Sequence, residues 1–214
     1  MNSSVLSVEG MSLENKVLKN TFMLLAATFA FSALAAGMAM LLGIAAMSPW
    51  VVLGVYIAIL VALHFNQTNG LGVLLVFALT GWLGFTLGPI LSMIIAVKPT
   101  VILSAFTMAT AMFIGLSGYA IVSKRDFSFM GGFLAIGLIV AFIAGLIAMF
   151  FQIAVLSLLV SAAFVVLSGG VILWQVSSIV NGGETNYIMA TVTLFVSFYN
   201  IFTSLLNLLG YNPD

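Results

Sequence analysis

The sequence predicts an all-α membrane protein with seven transmembrane helices, and three observations lead there. Lys and Arg number five, and Asp and Glu five, among 214 residues. These charges fall at Glu9, Glu14, Lys16, Lys19, Lys98, Lys124, Arg125, Asp126, Glu184 and Asp214, which leaves 21–97, 100–123 and 127–183 without any. A chain that is 64% hydrophobic and 5% charged cannot clothe a globule in polar surface, so its solvent is lipid. Within lipid only helices or a closed barrel satisfy the backbone. Long apolar runs without polar alternation select helices.

Each crossing takes about 20 apolar residues. The turn formers Ser48-Pro49, Asn66-Gln67-Thr68-Asn69-Gly70, Lys98-Pro99, Ser123 to Ser128 and Asn181-Gly182-Gly183 cut the runs. Crossings are expected at Thr21–Ala46, Trp50–Phe65, Leu71–Val97, Thr100–Val122, Gly131–Phe151, Val155–Val180 and Tyr187–Leu209. The break near Gln152 is the weakest, but an uncharged run of this length, about 75 Å as one helix, must fold back in a hydrocarbon core of about 30 Å. The domain plan is an N-terminal tail over 1–20, one membrane domain over 21–210, and a C-terminal tail over 211–214. Lys16 and Lys19 followed by an apolar stretch with Ala33-Leu34-Ala35 imitate a secretory signal, but the run continues to Ala46 as an anchor does. Lys16, Lys19, Lys124 and Arg125 on one side against Lys98 on the other put the N-terminus in the cytoplasm and the C-terminus in the periplasm.

Polar residues in the last crossing recur at Thr193, Ser197, Asn200, Ser204 and Asn207, one stripe on a helix. Ser161, Ser168 and Gln175 repeat every seven residues in the sixth, and the fourth carries Thr107, Thr110 and Ser117. Such groups turn from lipid toward other helices or a wet cavity, so the last helix is expected inside the bundle. Interhelical packing and a conduction or binding path are both consistent with the stripe. Gly88-Pro89 should kink the third helix and free carbonyls, as a structural feature or a gate.

Gly115-Leu116-Ser117-Gly118 has the serine-nucleophile form of rhomboid intramembrane proteases. A serine nucleophile needs a base, and His64, the one histidine, precedes the serine where rhomboids carry it afterwards. Packing is the better reading of Ser117. His64 lacks the companions of a metal site. The chain has no cysteine and zero net charge, so thiolate metal sites, disulfides and a basic face for nucleic acid are excluded. No phosphate loop or dinucleotide fingerprint calls for a cofactor. Asn66-Gln67-Thr68 reads as a turn rather than a glycosylation site. Thr185 or Asn186 should cap the last helix, with Glu184 near its positive end.

The strings Lys16-Val17-Leu18-Lys19-Asn20-Thr21, Leu87-Gly88-Pro89-Ile90-Leu91, Asp126 to Gly132, Gly182-Gly183-Glu184-Thr185-Asn186-Tyr187-Ile188 and Tyr199-Asn200-Ile201-Phe202 together resemble the bacterial branch of the Bax inhibitor-1 family. The resemblance implies seven helices with the last enclosed by the other six. It also implies either of two activities. One is binding and modulation of the membrane protease FtsH, acting on membrane substrates such as a jammed translocon. The other is a pH-sensitive calcium leak, which relatives build on an acidic pair on the sixth and seventh helices. Counting along the shared strings, those positions hold Gln175 and Ser197, which do not titrate near neutrality. The expectation is therefore a non-enzymatic inner-membrane regulator of FtsH, with the leak second and a rhomboid-like protease a distant third. Candidate interior residues are Ser168, Gln175, Ser197, Asn200 and Ser204, and candidate cytoplasmic interaction residues are Lys124, Arg125, Asp126 and Glu184.

Overall fold

Prolines or asparagines open four of the seven helices, and left-handed residues close four. In the computed structural model, which describes residues 3–211 and side chains from residue 13, these signals bound α1 (Ser3–Leu41), α2 (Pro49–Asn66), α3 (Gly70–Val97), α4 (Pro99–Ser123), α5 (Gly131–Phe150), α6 (Ala154–Val180) and α7 (Tyr187–Gly210). Each is long and apolar enough to cross a membrane, and no strand occurs among the described residues. Pro49 and Pro99 stand in the first turn of α2 and α4, where the missing N–H has no intrahelical use. The Asn69 side chain caps α3 by accepting from the Gly72 N–H. Asn186 caps α7 by accepting from the N–H groups of Ile188 and Met189.

Six of the seven crossings match their expected bounds to within about one residue. The exception is α1, which is helical from Ser3, through the segment expected as a tail, and ends at Leu41 instead of Ala46. Its close is a Schellman turn: Gly43 has φ 60°, its N–H donates to Met40, and the Ile44 N–H donates to Ala39. At 39 residues, α1 spans about 58 Å, so its first part stands clear of the hydrocarbon. The weak break is also a Schellman turn, with Gln152 at φ 53° and the Ile153 N–H donating to Ala148. Of the expected tail over 211–214, residues 212–214, Asp214 among them, lie outside the described residues.

The end of the bundle that carries the start of α1 is called the inner end below. α7 is the most enclosed helix and packs directly against α1, α3, α4 and α6. α2 packs on α3 and α5 on α6, and both face α7 across a cavity instead of touching its backbone. Glycines set the closest helix pair. A Cβ on Gly84 would collide with the Ser32 carbonyl oxygen, one on Gly88 would lie 2.6 Å from the Ala39 Cβ, and one on Gly81 would lie 2.6 Å from the Phe31 ring. Gly88 and Pro89 are buried on this seam, α3 continues through Pro89, and the Ser92 hydroxyl donates to the Gly88 carbonyl at 3.2 Å. The step is thus part of the α1–α3 contact.

Gly84→Leu forces α1 and α3 apart, so the thermal unfolding midpoint in detergent should fall, for a cost of about 1–3 kcal/mol or more. Gly115→Ala, where a Cβ meets nothing within 4 Å, should leave the midpoint unchanged or raise it.

Candidate functional site

α7 has two unlike faces. Phe195, Phe198 and Phe202, spaced three and four apart, pack their rings on Phe29 of α1 and on Phe106 and Phe113 of α4, with centroids 4.6 to 6.1 Å apart. The other face carries Asn200, Thr203, Ser204 and Asn207. Around it lie three adjoining cavities of about 410, 400 and 380 Å³. The first joins Tyr56 of α2, Thr86 of α3 and Tyr199 and Asn200 of α7; the second joins Ser157 and Ser161 of α6 to Ser204 and Asn207. They share Ile90, Phe164, Thr203 and Asn207, and the third ends at Gly210 and Tyr211. The outer half of α7 is therefore lined by hollow space whose walls are mainly apolar, with a few hydroxyls and amides among them.

The inner half of α7 is closed. Thr191 is fully buried and its hydroxyl meets the carbonyls of Tyr187, at 2.7 Å, and Thr21, at 3.3 Å. Ser168 and Gln175 are buried to 1% and 2% exposure, and neither the Ser168 hydroxyl nor the Gln175 amide nitrogen finds a partner among the described residues. Ser197 is buried, but its hydroxyl donates to the Thr193 carbonyl of its own helix at 2.7 Å. Ser204 is buried and Asn200 half-buried at the cavities. The register of α6 and α7 follows from Asn207, whose amide donates to Ser157 at 3.0 Å and Ser161 at 2.8 Å. That antiparallel register sets Thr191 level with Gln175, and Ser168 level with Ser197. Gln175 and Ser197, which the resemblance implied to be partners, are offset by about 9 Å along the axis.

At the inner end the connections are stitched onto α6 and α7. Ser177, fully buried, donates to the Arg125 carbonyl at 2.8 Å and accepts the Phe127 N–H at 3.1 Å. The Asn181 amide reaches the same Arg125 carbonyl. Asn186 donates its side-chain N–H to the Gln67 carbonyl at 2.9 Å, tying the α2–α3 turn to α7. Gly182, at φ 73°, closes α6 in a third Schellman turn, and Glu14 of α1 lies beside it. Asp126 accepts the Ser128 N–H at 2.8 Å and Glu184 the Asn186 N–H at 2.7 Å, so both acids serve their own loops. Lys124 and Arg125 are exposed and form no ion pair with the described residues. Lys124 sits at φ 50° as the left-handed cap of α4.

Ser177 and Asn181 escaped the sequence reading because a lone serine and an ordinary turn asparagine carry no periodic signal. Tyr56 and Thr86 escaped because they lie off the α7 stripe. Ser117 and His64 do not meet: α2 packs on α3 alone, the His64 ring contacts Phe65, and the Ser117 hydroxyl is buried without a partner among the described residues. No group of three or more His, Cys, Asp or Glu suited to a metal occurs among the described residues.

Residues 14–214 match the family described as Inhibitor of apoptosis-promoting Bax1. The chain is 43% identical over 196 residues to an uncharacterized protein of Pseudomonas aeruginosa, covering 91% of this chain and 88% of that one. It is 42% identical over 202 residues to an uncharacterized membrane protein of Vibrio cholerae, covering 92% and 89%. It is 40% identical over 201 residues to the modulator of FtsH protease YccA of Escherichia coli, covering 92% and 90%.

Asn207→Leu removes both bridges to α6 and should lower stability by about 1 kcal/mol, as two interhelical hydrogen bonds in a membrane do. Gln175→Leu removes a buried donor that has no partner among the described residues, so the unfolding midpoint should stay level or rise.

Proposed function

The chain belongs to the Bax inhibitor-1 family, and from that membership we propose that it is a multi-pass inner-membrane regulator that binds an FtsH-type ATP-dependent protease through its cytoplasmic end. The observation that carries the reading is the 40% identity, along nine-tenths of both chains, to a protein named for modulating that protease. The Lys and Arg bias supports a cytoplasmic N-terminus, which puts the stitched inner end on the side where ATP is available. That end offers a preorganised surface, because its loops are already fixed by Ser177, Asn181 and Asn186 and little entropy is lost on docking. Lys124 and Arg125 are its outward charges, able to make charge-assisted bonds to acidic groups of a partner.

Lys124 in particular occupies a backbone region that costs a non-glycine residue about 1 kcal/mol. A glycine would close α4 with less strain, whereas lysine adds an outward charge at this cap. Affinity capture from native membranes should recover an ATP-dependent protease with the wild-type protein. Reversal of Lys124 and Arg125 to Glu should reduce that recovery while membrane insertion is preserved. Lys124→Gly should raise the unfolding midpoint and still weaken capture, and unchanged capture in all these variants would move the interface into the membrane helices. Reporters fused after Arg125 and after Asp214 should read opposite sides of the membrane.

A second reading, a cation leak, is favoured by the cavities along the outer half of α7. The closed inner half and the neutral Gln175 and Ser197 weigh against it, since neither side chain binds a divalent cation strongly or changes charge near neutrality. Purified protein in liposomes should show little calcium flux and no switch between roughly pH 6 and 8; a robust acid-sensitive flux would reverse the order of the two readings.

A further inference from the structure

A cavity that neither functional reading draws on lies on the aromatic side of α7. α1 and α4 both pack on α7 yet do not approach each other. Toward the inner end Phe113 bridges them by ring contacts with Phe22 and Phe29, each at 6.2 Å. Beyond that bridge is a cavity of about 480 Å³, within the range of roughly 300–1,000 Å³ typical of ligand sites. Phe195, Phe198 and Phe202 of α7 form its floor, and Ala33 and Gly37 of α1 stand opposite Phe106 of α4 at its rim. Ala33 and Phe106 are exposed to the bilayer side, whereas the three floor residues are at most 9% exposed. The cleft thus opens sideways, between two membrane helices.

What fills it is restricted by its chemistry. Water needs two to four polar partners, and the lining is phenylalanine and aliphatic carbon except for Ser32, Thr110 and Tyr199. An empty space of this size would forfeit the dispersion contacts of its walls. A partner helix, about 10 Å across, is too wide to enter. Gly37 adds an independent sign. A Cβ there would meet nothing within 4 Å, so no helix contact requires glycine, and its effect is to keep the rim open at the cost of helix propensity.

We propose that this cleft is a lipid site that takes one acyl chain of a bilayer phospholipid, entering laterally between α1 and α4 and lying on the three phenylalanines of α7. The site stands independently of the protease reading. The test is reconstitution of the full chain in liposomes containing a phospholipid with a photoactivatable diazirine midway along one acyl chain, followed by mapping of the adducts. The wild-type protein should carry adducts on Phe198 and Phe202, which annular lipid cannot reach, as well as on Ile139 and Val140 of α5, which are 60% and 61% exposed. Gly37→Phe fills the cleft and should lose the α7 adducts while keeping those on α5. Ala33→Trp closes the rim from outside and gives the same readout should Gly37→Phe not insert. Adducts on α5 alone in the wild-type protein, or α7 adducts that persist undiminished in both variants, would overturn the proposal.

Discussion

A bilayer offers no hydrogen bonds, and every feature of this chain follows from that refusal. The backbone answers by coiling into seven helices, since each amide must find its acceptor within its own segment. Charged side chains answer by withdrawing to the helix ends. Uncharged polar side chains have a narrower choice, and here they divide into three groups. Thr28, Thr86, Ser92, Ser197 and Thr203 bond back to carbonyls of their own helix. Asn207, Thr191 and Ser177 bond across to another segment. Thr21, Thr110, Ser117, Ser168 and Gln175 have buried polar atoms with no partner among the described residues. The second group specifies which helix lies beside which.

The two ends of the bundle solve different problems. At the inner end the turns are short and their carbonyls would be stranded, so Ser177, Asn181 and Asn186 reach out of α6 and α7 to cap them. The result is a firm face built from backbone groups, with cationic side chains projecting from it. At the outer end cavities lie between the helices, and a few hydroxyls and amides line them among apolar side chains. α7 joins the two regimes, with an aromatic face for α1 and α4 and a polar face for the cavities.

Much of this was legible in the residues. Turn formers located the ends of α2 to α7 because proline and asparagine act locally, through a missing N–H or a short side chain that mimics a backbone acceptor. The end of α1 was missed because Ile44-Ala45-Ala46-Met47 continues the apolar pattern, although Gly43 marked the stop through its left-handed turn. The α7 stripe was legible as a period, and of its residues Ser197 and Ser204 are buried, Thr193 and Asn200 half-buried and Asn207 exposed. The offset of Gln175 from Ser197 was not legible, since helix register depends on tertiary contacts such as Asn207 with Ser157 and Ser161. The cleft between α1 and α4 was equally hidden, because a gap between helices leaves no pattern on either one. The Gly182 to Ile188 string, the most specific piece of the resemblance, turns out to combine a left-handed glycine, a loop acid and a cap that serves two helices at once.

The helix with the greatest need of neighbours follows them in the chain. α7 emerges from the ribosome after α1, α3, α4 and α6 have been synthesised, so the socket that will hold it precedes it. Until it arrives, Ser157 and Ser161 lack the amide that bridges them, the Thr21 carbonyl lacks its hydroxyl, and Phe29 and Phe113 face an open channel in place of rings. The socket is therefore made before the helix that fills it, and α7 completes the packing among α1, α3, α4 and α6.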